Sequence, residues 1–154
     1  MFSPAEVRLY PAFTQVKSFS GSGPPDGVEA LVEFRDRFGD PTKAAGRLLF
    51  ELFDYRTGWP DPRGMRIGGP WTGQLLTIDD QTLHWDRASR AYDFQLAFPG
   101  ARLDHDYVLT LVYETTDGHR LFAQLTISGH HELDRRHGIP TTEPGAGQPV
   151  LPRF

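Results

Sequence analysis

Apolar and polar residues alternate along most of this chain, with the repeat of strands rather than of helices. The clearest instance is Tyr107 to Ile127, YVLTLVYETTDGHRLFAQLTI, where two alternating runs flank Asp117-Gly118. Asp-Gly between such runs is a strong short-range hairpin signal. If Asp117 and Gly118 alone formed the loop, Tyr113 would face Phe122 and Leu111 would face Gln124, mixing apolar with polar. A loop of Thr116, Asp117 and Gly118 removes the conflict. It pairs Tyr113 with Leu121, Leu111 with Ala123, Leu109 with Leu125 and Tyr107 with Ile127. The opposite face then pairs Thr110 with Gln124 and Glu114 with Arg120. A slip by a single residue flips every side chain, so burial selects the longer loop and predicts Gly118 in the left-handed region as a bulge.

The same pattern recurs upstream. Val7 and Leu9 share a face until Pro11, which cannot donate to a ladder and so belongs at an edge or a switch between sheets. Ser20 to Asp26 is a loop. From Val28 to Arg35, Val28, Ala30, Val32 and Phe34 read as inward and Glu29, Glu33 and Arg35 as outward, with Leu31 an apolar exception. Asp36 to Gly46 is a turn-rich connection into Arg47 to Arg56. There Leu48, Phe50 and Leu52 form the core face, because Glu51 lies on the other. That other face also bears Leu49, Phe53 and Tyr55, which makes it a candidate contact surface. Thr57 to Gly64 reads as loop, Met65 to Ile78 as one or two short strands, and Asp79 to Ser89 as a polar connection. Tyr92, Phe94, Leu96 and Phe98 give another half-buried strand. No segment shows a sustained helical repeat with caps.

About seven strands between turn signals predict an all-β, antiparallel β-sandwich. Leu103 lies four residues before Tyr107, where a strand opens. That spacing fits a tyrosine corner and an immunoglobulin-like version of the sandwich; the alternative is an ordinary strand aromatic. The sandwich is expected over residues 1–129. Residues 130–154 form an irregular tail, with Pro140, Pro144, Pro149 and Pro152 and too little apolar surface to offset the entropy of ordering it alone.

Composition narrows the function classes. A chain of 154 residues with 38% hydrophobic residues has room for one domain with a sizeable core. The net charge is −4 and the basic residues are scattered among acids, which leaves no electrostatic footprint for nucleic acid. No apolar run approaches the roughly 20 residues of a membrane-spanning helix. There is no cysteine, so disulfides, thiolate metal sites and a cysteine nucleophile are excluded. The opening MFSPAEVRLY lacks the basic and long apolar parts of a signal peptide; Met1 is either native or stands where an export signal was removed.

Candidate chemistry is sparse. His130, His131 and His137, with Glu132 and Asp134, form the one histidine cluster, and imidazole with carboxylate suits zinc, nickel or copper. The spacing is not that of a zinc protease, and adjacent histidines on an extended chain point apart, so a solvated tail explains them without a metal. Asp36 with Asp40, or Asp104 with Asp106, are the carboxylate pairs best placed for calcium, yet each also reads as turn chemistry. Nucleophile elbows, phosphate-binding loops and dinucleotide fingerprints are absent, and no cofactor is expected. Trp59, Trp71 and Trp85 sit in the irregular middle of the chain, where indoles either stack on sugar rings or plug the core.

Three stretches, VEFRDRFGDPTKAAGRLLFELFDYR, HWDRASRAYDFQLAF and DYVLTLVYETTDGHRL, resemble as a set small uncharacterised bacterial envelope proteins. Those proteins are often lipoprotein-like, with an immunoglobulin-like or prealbumin-like sandwich. The resemblance spans about Glu6 to Ser128 and rests on Asp-x-x-Gly-x-Pro at Asp36 to Pro41, on Trp85-Asp86 and on the Asp-Gly hairpin. It implies no catalytic activity, and this chain departs from it in lacking an acylated cysteine and a signal sequence. The expectation is a non-enzymatic structural or protein-interaction module of a bacterial envelope or periplasm, with the cytoplasm as the alternative location. The second expectation is a carbohydrate-binding module using the three tryptophans. A metal-dependent hydrolase has the least support.

Overall fold

A computed structural model describes residues 3–129, which form two packed antiparallel sheets. In chain order the elements are β1 (Glu6–Leu9), β2 (Gln15–Lys17), β3 (Gly27–Arg35), β4 (Pro41–Thr42), β5 (Gly46–Tyr55), β6 (Arg63–Leu75), α1 (Ile78–His84), β7 (Trp85–Asp86), β8 (Ala91–Ala97), β9 (Tyr107–Glu114) and β10 (Arg120–Ile127). The expected antiparallel sandwich is the fold. It has ten strands rather than about seven; β2, β4 and β7 are the short ones, at two or three residues, and the other seven have four or more. The tail from 130 to 154, with His130, His131 and His137, lies outside the described residues.

One sheet runs β1-β3-β8-β7, with β2 and β4 also on β3, and the other runs β10-β9-β5-β6. In chain order that is an A-B-E-D sheet over a G-F-C sheet with one extra strand beside C, the order of an immunoglobulin-like sandwich. The inward positions read from alternation are buried: Val28, Ala30, Val32 and Phe34 on β3, Leu48, Phe50 and Leu52 on β5, and Tyr92, Phe94 and Leu96 on β8. Phe34 ties the sheets together, with its ring edge-on to Tyr113 at 4.7 Å and to Tyr92 at 5.8 Å. The tyrosine corner is present as well. Tyr107 Oη accepts a hydrogen bond from Arg102 N at 3.0 Å.

The hairpin has the register that burial selected. Glu114 pairs with Arg120, Tyr113 with Leu121, Leu111 with Ala123, Leu109 with Leu125 and Tyr107 with Ile127. Thr115 and His119 close the loop: Thr115 N donates to His119 O at 2.8 Å, and Gly118 N donates to Thr115 O at 3.1 Å. Gly118 has a φ of +93° and nothing within 4 Å of a built Cβ, so only backbone strain opposes a side chain there. Gly118→Ala is therefore expected to cost about 1 kcal/mol, read as a lower denaturant midpoint at unchanged slope.

Two expectations need correction. Met65 to Ile78 is not one or two short strands: a single long strand, β6, already begins at Arg63 inside the expected loop and follows β5 through several register shifts. Asp79 to Ser89 is not a plain polar connection either, since it contains α1 and β7. The helix was hidden because none of its residues is buried, so it has no apolar face to give a period. Its signal is Thr77-x-x-Asp80, a capping box. Asp80 N donates to Thr77 Oγ1 at 3.1 Å, while Thr77 N donates back to Asp80 Oδ2 at 3.1 Å. Gln81 then pins the helix to the sandwich, with Nε2 donating to Ala44 O at 2.7 Å and Oε1 accepting from Tyr92 Oη at 2.6 Å.

Candidate functional site

The outer face of the β10-β9-β5-β6 sheet carries the surface that Leu49, Phe53 and Tyr55 suggested, and register defines it further. Phe122 on β10 pairs with Val112 on β9, Val112 with Leu49 on β5, and Leu49 with Thr72 on β6. An apolar row thus crosses three strands and ends on a threonine. Leu49 and Val112 are half-buried, while Phe122 is 68% exposed. Beside Phe122 lies a shallow hollow of about 520 Å³, lined by Arg47, Leu49, Thr72, Gly73, Val112 and Glu114 among others.

The row on one side is charged. Glu114 pairs across the strands with both Arg120 and Arg47, and Arg47 pairs with Gln74. The Arg120 side chain reaches Glu114 at 3.7 Å, whereas Arg47 makes no ion pair among the described residues. On the other side Arg66 meets Glu51 at 3.3 Å. Phe53, further along β5, is less available than its sequence position implied. Its cross-strand neighbour Val108 is fully buried, and the Arg63 guanidinium stands 5.7 Å from its ring centre. Tyr55 is 38% exposed at the end of the strand.

The tryptophans are not brought onto one platform. Trp59 lies in the β5–β6 loop, exposed, with the Arg56 guanidinium 4.6 Å from its ring centre. Trp71, on β6, packs against the core and donates from Nε1 to Ala97 O at 3.1 Å, bridging to the other sheet. Trp85, on β7, sits edge-on to Tyr92 at 5.0 Å under the Lys43 ammonium. Two of the three indoles are thus engaged inside the fold.

Alternation alone gave no hint of a second feature, on the outer face of the opposite sheet. Glu29 pairs with Gln95 and Leu31 with Asp93, which makes Glu29 and Asp93 diagonal neighbours between β3 and β8. Lys17 on β2 donates to Glu29 Oε1 at 2.8 Å. Asp93 Oδ1 is buried and is the one such side-chain atom without a hydrogen-bond partner among the described residues. Burial pushes the Asp93 carboxyl up to about 7; its hydrogen bond to Glu29 and the charge there add to the shift, and Lys17 opposes it. The Asp93 carboxyl therefore takes up its proton near neutral pH, well above the ordinary carboxylate range. Glu29 and Asp93 line a hollow of their own on this sheet, together with Tyr10, Phe13, Leu31 and Asp86.

Several other acids and histidines among the described residues are engaged in turns, ion pairs or packing. Asp36 Oδ1 accepts from Phe38 N at 2.9 Å and Asp40 N at 3.1 Å, the turn role. Asp104 pairs with Arg102, and Asp106 Oδ1 accepts from Gly129 N at 2.7 Å. His105 Nε2 lies 2.8 Å from Asp54 Oδ1, and the His84 ring stacks on Phe94 at 4.2 Å. No side-chain hydroxyl bonds to either ring among the described residues. Nor do three His, Asp or Glu side chains there gather where a metal ion would sit.

No family model, curated protein or solved structure matches this chain. The likeness to envelope proteins accordingly gains no support from relatives. What the chain is for must be argued from its surfaces.

Proposed function

We propose that the chain is a non-enzymatic protein-interaction module of a bacterial cell envelope, and that the outer face of the β10-β9-β5-β6 sheet is its docking surface. The envelope location comes from the sequence resemblance. One observation carries the docking surface: the Phe122–Val112–Leu49 row ends on a largely exposed phenylalanine beside a hollow, with charges of both signs around it. An apolar centre with a polar rim is the anatomy of a contact that forms and dissociates. The opposite sheet presents Glu29, Asp93 and Lys17 in its centre, where covering would cost the hydration of the charges.

A photo-cross-linking side chain tests this directly. Placed at Phe122 and exposed to an envelope extract of the source cells, it is expected to give a protein adduct. Placed at Gln95, exposed on the other sheet, it is expected to give none. Adducts at both positions, or at neither, would sink the proposal.

A further inference from the structure

We infer that a second copy of this chain is a partner of that docking surface, held by a two-fold axis parallel to the strands and midway between β9 and β5. The inference rests on the docking reading and names its occupant. An isologous contact requires a surface that complements itself, so that whatever residue i meets, its partner's residue i meets in return. This face has both halves of such a match. Phe122 stands out on β10 at one edge of the hollow, and Thr72 on β6 lines its other edge, with Val112 and Leu49 between them.

The proposed axis exchanges β10 with β6 and β9 with β5 between copies. Because the row Phe122–Val112–Leu49–Thr72 runs straight across the four strands, it maps onto itself. Phe122 of each copy comes over Thr72 and the hollow of the other. Leu49 of each copy comes over Val112 of the other.

Charge fits the same operation. In the neighbouring row, Arg47 on β5 comes opposite Glu114 on β9 of the second copy, and this occurs twice by symmetry. Arg47 has no ion pair within its own chain among the described residues, so the contact gives it one. Arg120 meets Gln74 of the second copy. Glu51 meets Thr110, and neither contact sets like charges face to face. An axis along the apolar row instead would stack Phe122 on Phe122 and leave the hollow unfilled.

Size sets the expected strength. Four strands spaced about 4.8 Å apart, over the length of the outer positions from Arg47 to Tyr55, offer roughly 500 Å² per copy. Stable interfaces bury about 800 Å² per partner, so the dimer is a weak one, with a Kd in the micromolar range or above.

Sedimentation velocity on the purified chain, from micromolar to near-millimolar concentration, reads the equilibrium. The expected result is a concentration-dependent monomer–dimer boundary. Phe122→Gln, Arg47→Glu and Glu114→Arg are each expected to weaken it about tenfold or more. An equimolar mixture of the Arg47→Glu and Glu114→Arg chains is expected to regain the dimer, because both charge contacts are rebuilt across the heterodimer. All three positions lie on the outer face, and matched thermal unfolding of the variants confirms that each is folded.

A wild-type chain that stays monomeric throughout overturns the inference. A dimer indifferent to Phe122, or one that the mixture fails to restore, overturns it equally. The cross-linking experiment keeps the two proposals apart: a monomeric chain that still gives an adduct at position 122 in extract has a different partner on the same face. A monomeric chain on sedimentation together with no adduct at position 122 in extract removes both.

Discussion

Tyr92→Phe is expected to destabilise the fold by about 2 kcal/mol, a large effect for the loss of one oxygen. The ring stays and the core is not emptied. What is lost is a junction, because Tyr92 Oη accepts from Ala44 N at 3.0 Å and donates to Gln81 Oε1 at 2.6 Å. Ala44 is buried, so its N–H cannot turn to water once the hydroxyl has gone. A buried donor left alone costs about 1–3 kcal/mol, and the weakened hold on Gln81 adds to it. Tyr113→Phe is the comparison. Tyr113 Oη also donates to a carbonyl, Ala45 O at 2.6 Å, but Ala45 is exposed and its carbonyl can be hydrated. That variant is expected to cost about 1 kcal/mol or less. Urea titration of both proteins checks the difference, and hydrogen exchange in α1 should quicken in the Tyr92 variant alone. Equal midpoints would show that the Ala44 junction contributes nothing.

Asp93→Asn is expected to work in the other direction and to do so only above mildly acidic pH. The Asp93 carboxyl sits at about 7 in the folded protein, against an ordinary value near 3.8. A raised acid favours the protonated folded state. Its penalty is absent below the ordinary value, grows as pH rises between the two values, and is complete above the higher one. Wild-type stability should therefore fall across that window and then level off, as far as this group determines it. Asparagine keeps the size of the side chain, offers an N–H toward Glu29 and carries no charge to desolvate. With allowance for solvent around this half-buried group, the variant should be more stable at pH 8 by about 1–2 kcal/mol, with the gain vanishing near pH 4. Thermal or urea unfolding of both proteins at the two pH values provides the measurement. A gain that persisted unchanged at the acidic pH would assign it to packing instead of charge.

These two expectations differ in how far the sequence foreshadows them. The inward face of β8, Tyr92 included, is legible because Tyr92, Phe94 and Leu96 alternate with polar residues, and burial follows from period alone. The hairpin is legible for the same reason, with a turn dipeptide added. Helix α1 is a different case: it is short and exposed and depends on local capping chemistry rather than on a hydrophobic stripe. Its one sequence signal is the Thr77-x-x-Asp80 box, with no periodic apolar stripe behind it.

The carboxyl pair was not legible at all. Glu29 and Asp93 occupy ordinary outward positions on strands distant in sequence, and only the β3–β8 register makes them neighbours. The candidate face lies between these cases. Leu49 was visible as an apolar residue on the wrong side of a strand. Phe122 joins it only through the pairing that puts β10, β9 and β5 in one row, and the packing of Trp71 and Trp85 against the core has no counterpart in the local sequence pattern.

The long strand β6 has a consequence for how other chains can approach. It forms one border of its sheet, where an unbroken line of unpaired amides and carbonyls would invite a foreign strand to add on and start a growing fibril. Its course along β5 is interrupted by register shifts, and Pro70 in its middle has no amide hydrogen to offer. An incoming strand would lose registry within a few residues. The β6 border is thereby blunted against open-ended addition.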